Sequence, residues 1–378
     1  MSDANSAPPA ATLTRSQAFG YRAAVQHLEY PAAGQRGESV LLAGVRDSPP
    51  GRTADVALRV RGVKADPSGL VLLHSQRGAP HLHRTADAGC IAAALRTLQA
   101  TDLAPELFGP FGRALVDHRI SLASAMDQVA EAMRQVSADG RPRGKGELST
   151  ALNEVVDARL RPWCRRCAAH HVQDVLFRYA TLQAGLAMVV RPGGFDYVPF
   201  PIATPGDPEA SLATLVRRFL RFCGPCRPED LGRWLALTPA AARRLWGRLS
   251  GQLAAVTVDG RRAWVHQDDL DEVRDADPAT RVLLLPPYDP LTELADRELL
   301  LPEKSRRGAV WRPIGSPGIL LVRGEIAGTY RQRATARRLT VTVQPFGAIE
   351  DADRDAARVH AGTLAEPDGL SVEVAFAT

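Results

Sequence analysis

The sequence predicts an α+β chain in which three helices-then-hairpin modules of winged-helix pattern precede a β-rich, barrel-like C-terminal domain. Three observations carry this. Helical periodicity gives way to a short hairpin three times in succession. Each hairpin is punctuated by turn residues, at Arg77 to His81, at Gly193 and Gly194, and at Asp259 and Gly260. Past Thr280 apolar runs of strand length replace the helices. The expected divisions are a disordered leader at 1–12, modules at 13–104, 105–204 and 205–277, and the β-rich domain at 278–378. At 378 residues the chain exceeds what one core usually serves.

The first module opens with a helix from Thr14 to about Leu28, with Thr14 or Ser16 available as its cap. A second helical stretch runs from about Glu38 to Val45, a turn follows at Asp47 to Gly51, and a third helix covers about Thr53 to Val60. Gly69 to His74 and a second short extended piece, following the run Arg77 to His81, then make the hairpin. The second module has two amphipathic helices between Pro105 and Ser137, a Gly-rich loop at 138–146, a helix from Ser149 to Val156 and another from His171 to Gly185. Its hairpin pairs Leu186–Val190 with Phe195–Val198.

The third module has the plainest pattern. Helices are expected over Ser211 to Phe222 and Pro228 to Leu235, the second with acidic residues where the helix dipole favours them. Thr238 caps a basic helix with Pro239 in its first position. Ala255–Val258 and Arg261–Val265 close around an Asp-Gly turn. Such a fold also serves as a spacer or dimerisation module, so pattern alone does not establish function. The last domain shows strands at Val282–Leu285, Gly318–Val322, Glu325–Thr329, Arg338–Val343 and Leu370–Phe376, with a helix near Ala348 to Ala361.

Composition narrows the function class. An apolar fraction of 45% excludes wholesale disorder. The net charge is +5, and Lys64, Lys145 and Lys304 are the only lysines. The arginine excess reads either as high-GC coding bias or as a guanidinium surface for phosphate. No apolar run approaches the roughly 18 residues of a membrane span. Residues 1–12 lack the basic and apolar regions of a secretion signal, so reduced thiols in the cytoplasm are expected.

The runs Leu284 to Pro290, Leu301 to Lys304, Val310 to Gly315, Pro317 to Val322 and Gly324 to Gly328 carry more than periodicity. Together they resemble the C-terminal signature of the winged-helix AlkZ/YcaQ family of DNA-binding proteins. Gly44 to Leu58, and Arg77 to His81 where many members have an Arg-Gly-Thr-x-His run, add a looser N-terminal likeness. The resemblance implies tandem winged helices arranged as a C-shaped clamp around duplex DNA. It further implies a glycosylase, without cofactor, that releases N7-alkylated or bulky purine adducts in DNA repair or self-resistance.

Alkylation at N7 makes the base cationic and a good leaving group, so catalysis asks for negative charge or a dipole near the sugar and a positioned water. In the family a Gln-x-Gln or Gln-x-Asp motif does this. Here the matching place reads Arg46, Asp47, Ser48, with no glutamine. The expectation is that Asp47 supplies charge and orients water, Ser48 assists, and Arg46 pairs with phosphate or with Asp47. The alternative is that Asp47 to Pro50 merely ends a helix. Asp289 is either a second carboxylate of the site or a turn cap.

Arg77, His81 and His83 are expected at the DNA surface, the two histidines sharing one side of an extended segment; the alternative is that both histidines are satisfied inside the wing. Arg243, Arg244 and Arg248 on the third basic helix, Arg261 on its hairpin and Arg312 beside the signature are expected phosphate contacts. Cys164, Cys167, Cys223 and Cys226 form two Cys-x-x-Cys pairs. They read as ordinary buried cysteines, as a four-thiolate zinc site, or as Cys164 and Cys167 with His170 or His171. Cys223 to Cys226 lacks the preceding strand of a redox dithiol. The expected partner is adducted duplex DNA, bound by a monomer. The competing expectation is a non-catalytic DNA-binding member, an adduct sensor or regulator, favoured by the altered motif.

Overall fold

The computed structural model describes residues 9–29, 37–63, 66–98, 100–201, 207–293, 296–365 and 369–377. Most of the leader expected at 1–12 lies outside the described residues. Its end does not: Ala11–Leu13 is a strand, parallel to Leu253–Val258. The fold is α+β, with a curled half-barrel sheet. No helix among the described residues is long and apolar enough to cross a membrane.

Contacts gather the chain into two compact units, each assembled from separated segments. The first comprises Met1–Ala65, Arg217–Asp230 and Ser250–Thr378. Its opening helix, Arg15–Val25, starts at a reciprocal capping box between Thr14 and Gln17, which satisfies two exposed amides at once. Leu13, Ala18 and Tyr21 pack with Val256, Val258, Ala263, Val265 and Val273 in one buried cluster. Burial of this apolar surface joins the N-terminal helix to the hairpin Leu253–Val258 and Arg261–His266.

The half-barrel belongs to the same unit. Its strands follow chain order, Val282–Leu285, Gly318–Val322, Glu325–Ala334, Arg338–Pro345 and Ser371–Phe376. The first four pair antiparallel, and the last runs parallel to its neighbour after the helix Asp351–His360. A parallel return needs such a crossover, since a tight hairpin only reverses the chain. The helix Ala54–Val60 also lies here, and Gly37–Leu42, expected within an α-helix, is a 3-10 turn.

The second unit comprises Asp66–Val216 and Leu231–Leu249. The strands Leu70–His74 and Pro80–Arg84 pair as expected, as do Leu186–Arg191 and Gly194–Pro199. These two hairpins join through Leu72 and Met188, and Arg143–Gly144 extends the far edge against Asp196 and Tyr197. The helices Leu122–Val136, Lys145–Val155 and Asp174–Ala184 belong to this unit. Gly185 ends the last of them in the left-handed conformation that glycine adopts without steric cost.

Candidate functional site

The strongest site in the first unit is a cavity of about 380 Å³ lined by Ser48, Pro49, Arg52, Thr53, Pro286, Tyr288, Ser316, Tyr330 and Gln332, among others. It brings the Arg46–Ser48 segment beside the C-terminal signature, which lies some 240 residues away in sequence.

One wall is a turn organised by Asp47. The carboxylate is 4% exposed. Its Oδ1 accepts from the amides of Arg52 (3.0 Å), Thr53 (2.8 Å) and Ala54 (3.1 Å), and Oδ2 accepts from the amide of Gly51. Thr53 makes no side-chain cap for the helix Ala54–Val60, and Asp47 takes over that task. Both oxygens are therefore engaged with the main chain. Asp47, expected to hold a water at the sugar, is the organiser of the turn that presents Ser48 and Arg52.

Arg46 does not pair with Asp47. Its guanidinium bonds Glu293 at 3.0 Å and stacks 4.0 Å from the centroid of the Tyr288 ring. A planar cation suits both contacts. Tyr288 has φ of 61°, an unfavourable conformation for a bulky residue, and the brace from Arg46 holds it there.

Behind Tyr288 lies Asp289, fully buried in a bidentate pair with the equally buried Arg61, both bonds 2.8 Å. Asp289 also accepts from the amide of Leu291. It is thus a turn cap and a charge partner, and it is sealed from the cavity side by its own bonds. Arg61 reaches further, to the carbonyls of Gln26 and Ala57, so one ion pair ties three segments together.

The opposite wall is the strand Glu325–Ala334. Period-two alternation puts Tyr330 and Gln332 on the cavity side and Arg331 and Arg333 on the other. The Tyr330 ring lies over Gly318, where any Cβ would stand 2.2 Å from Cε1 and 2.3 Å from Cζ. That contact explains why glycine follows Pro317. The Tyr330 hydroxyl is buried with no hydrogen-bond partner among the described residues, and burial, reinforced by Asp289, pushes its pKa up. Arg52 and Arg312 are exposed on this unit, and Arg331 bonds the Gly315 carbonyl at 3.0 Å. No carboxylate lines the cavity among the described residues.

Gln332 and Tyr330 escaped the sequence reading, which ended that strand at Thr329. The alternation through Arg333 was the signal available.

A second cavity in this unit, of about 240 Å³, holds Arg15, Arg227, Arg261, Arg262 and Arg307. Its charges are already matched: Arg261 and Arg307 pair with Glu298, and Arg15 with Glu325. It offers little free charge to a ligand.

The other expected contacts divide. Arg77 is half-buried in a tight turn with φ of 58°. His81 and His83 do share one side, but that side is internal, at 4% and 0% exposure, and the Ser75 hydroxyl meets His81 Nδ1 and His83 Nε2 at 2.9 Å each. In this conformation they are core polar groups out of reach of phosphate. Arg243, Arg244 and Arg248 are exposed on the helix Pro239–Gly247 and its C-cap. Arg244 bonds Asp102 at 2.8 Å and Arg248 pairs with Glu209, so a phosphate would compete with carboxylates there.

The two cysteine pairs fall in different units. Cys223 and Cys226 are fully buried, and burial raises both thiols well above the usual range. Their turn serves Arg22, which donates to the carbonyls of Gly224 (3.1 Å) and Pro225 (2.8 Å). Cys164 and Cys167 lie instead with His171, the three ligand atoms within 4.8 Å of one another. Cys164 is held down to about 7, chiefly by the amide of Cys167 and next by His171.

The AlkZ-like DNA glycosylase family model matches residues 45–366, which span both the Arg46–Ser48 turn and the C-terminal signature. The chain belongs to the AlkZ-like DNA glycosylase family. It is 29% identical over 174 residues to an interstrand DNA cross-link repair glycosylase of Streptomyces sahachiroi, a match covering 44% of this chain and 45% of that relative. The match with that curated relative therefore spans about half its length. The solved structure of the Streptomyces sahachiroi DNA glycosylase AlkZ superposes with a TM-score of 0.73 at 22% identity, covering 96% of this chain and all of that one. This likeness is one of fold. Within the AlkZ-like frame, the Arg46–Ser48 turn and the C-terminal signature meet at a single cavity.

Proposed function

We propose that this protein is a monofunctional DNA glycosylase that releases N7-alkylated and bulkier purine adducts from duplex DNA. The observation that carries this reading is the convergence of the Arg46–Ser48 turn and the Pro286–Tyr288 signature on one cavity, in a chain of the AlkZ-like family. A relative named for interstrand cross-link repair supports large adducts and a role in repair.

The chemistry fits a site without a carboxylate in its lining. In an N7-alkylpurine the bond from C1′ to the base breaks with its electron pair going to the base, which becomes neutral. The sugar is left as an oxocarbenium ion, water adds at C1′, and a proton passes to solvent. A cationic leaving group needs the least help, so the lining has chiefly to hold a water and exclude misplacement. Ser48 and Gln332 supply the polar groups for that water, and the Tyr330 ring closes the wall behind it. Arg52, Arg312, Arg243, Arg244 and Arg248 are the phosphate contacts of the proposal. Asp47 and Arg46 act as positioning residues. No lysine lines the cavity among the described residues, which fits hydrolysis better than amine-based lyase chemistry.

The absence of a lining carboxylate among those residues also favours a second reading, an adduct-binding protein that does not cleave. Release of 7-methylguanine and of a bulkier N7-adduct from duplex DNA under single-turnover conditions separates the two. Release that falls in Gln332→Ala and Ser48→Ala supports the glycosylase. Tight, adduct-dependent binding with no release from either substrate selects the non-catalytic reading.

A further inference from the structure

We propose that Cys164, Cys167 and His171 form a zinc site that staples a short hairpin in the second unit. The strands Trp163–Cys164 and Ala169–His170 pair antiparallel, with Trp163 opposite His170 and Cys164 opposite Ala169. The chain reverses between them through Ala168, at φ of 49°. This geometry puts both sulfurs of a Cys-x-x-Cys segment on one side of a tight turn, and His171 follows the second strand directly. The three ligand atoms already lie within 4.8 Å of one another. Tetrahedral zinc, with bonds of about 2.3 Å to sulfur and about 2.0 Å to nitrogen, needs them only slightly closer.

The histidine is prepared for the task. Its Nδ1 lies 2.8 Å from the carbonyl of Val172, and a carbonyl only accepts, so Nδ1 carries the proton. Nε2 then holds the lone pair and is buried, with the His171 side chain hydrogen-bonded to Cys164. A ring nitrogen fixed through its partner to a main-chain carbonyl is the usual support of a metal-bound histidine. Two thiolates and an imidazole suit zinc and not magnesium or calcium. His170, the rival on sequence grounds, instead puts Nδ1 3.0 Å from the Arg161 carbonyl and packs edge-on against Trp163.

Packing gives this segment little else to hold it. Residues 165–170 are exposed, and Trp163 is 55% exposed. A core cannot fix so exposed a turn, whereas a metal ties its two strands to the residue that leads into the helix Asp174–Ala184. Three protein ligands leave the fourth position to solvent, on the side where Cys167 is exposed. The Cys223 and Cys226 pair takes no part.

The test uses the full-length reduced chain, titrated with zinc chloride against a chromophoric chelator and separately with cobalt chloride. The expected result is about one zinc per chain and a thiolate-to-cobalt charge-transfer band with the strong visible bands of a tetrahedral site. His171→Ala should weaken zinc binding by more than about tenfold, and His170→Ala should leave it unchanged. Cys164→Ser with Cys167→Ser should abolish the cobalt band. Trypsin cleavage after Arg165 and Arg166 in the wild type should slow on adding zinc. Absence of the cobalt band in the wild-type chain overturns the proposal, independently of how any variant folds. Zinc retained by the double cysteine variant, or lost in His170→Ala but not in His171→Ala, overturns it equally.

Discussion

Replacing Asp47 tests the division between building the site and doing its chemistry. Its carboxylate accepts four main-chain amides, from Gly51, Arg52, Thr53 and Ala54, and is 4% exposed. A hydrogen bond to a charged acceptor contributes about 1.5–3 kcal/mol, but these four share one group and part of the turn meets solvent, so they do not add. Asp47→Ala should therefore lose on the order of 3–4 kcal/mol of stability. Asp47→Asn keeps an acceptor for the three amides at Oδ1 and fails only Gly51, a loss of about 1–2 kcal/mol. Urea denaturation measures both. Single-turnover base release then separates the roles: a positioning residue leaves the Asn variant within about tenfold of wild type, equivalent to roughly 1.4 kcal/mol in the barrier. A carboxylate acting directly on the developing cation would cost a hundredfold to a thousandfold or more, on the order of 3–4 kcal/mol. A stable Asn variant with so large a loss refutes the positioning argument, and an Ala variant within about 1 kcal/mol of wild type refutes the capping argument.

Three other outcomes follow from the same structure. Arg61→Met strands the buried Asp289 and should cost about 3–5 kcal/mol in denaturation, while Arg61→Met with Asp289→Leu should recover much of that. Gly318→Ala drives a methyl into the Tyr330 ring, so a stability loss of about 1–3 kcal/mol and a slower base release are expected; a neutral effect on both would remove Tyr330 from the cavity wall. Burial lowers His360 from its ordinary 6.5 to about 4, with Arg281 adding to the shift, while its Nδ1 accepts from the Leu284 amide. The unfolded chain therefore takes up this proton first. Stability of the first unit should be insensitive to this group above pH 6.5, fall by up to about 1.4 kcal/mol per pH unit as pH drops toward 4, and level off below. His360→Asn, which keeps an acceptor for Leu284, should flatten that part of the profile; an unchanged slope would dismiss the assignment.

Much of the architecture was legible in the order of residues, because local rules write it there. Capping and dipole residues mark the helices at Thr14 and Thr238, and turn glycines mark the hairpins at Gly193, Gly194 and Gly260. Alternation correctly put His81 and His83 on one side. It could not say that this side faces inward, since period two defines faces and not their surroundings. Asp47 posed the same problem. Aspartate before a helix suits a cap and a catalytic site alike, and only the positions of four amides decide between them. The residues that complete the cavity wall, Tyr330 and Gln332, depend on a strand whose neighbours come from elsewhere in the chain. Likewise Arg61 and Asp289 are 228 residues apart, and no local pattern pairs them. Choosing His171 over His170 required the direction of two adjacent rings, which the fold sets through the carbonyls of Val172 and Arg161. The amino-acid sequence by itself determined the elements, their faces and the family signature, since these rest on neighbours along the chain. Which faces meet, which charges are spent on one another and which polar groups remain for a substrate were decided only when distant segments packed.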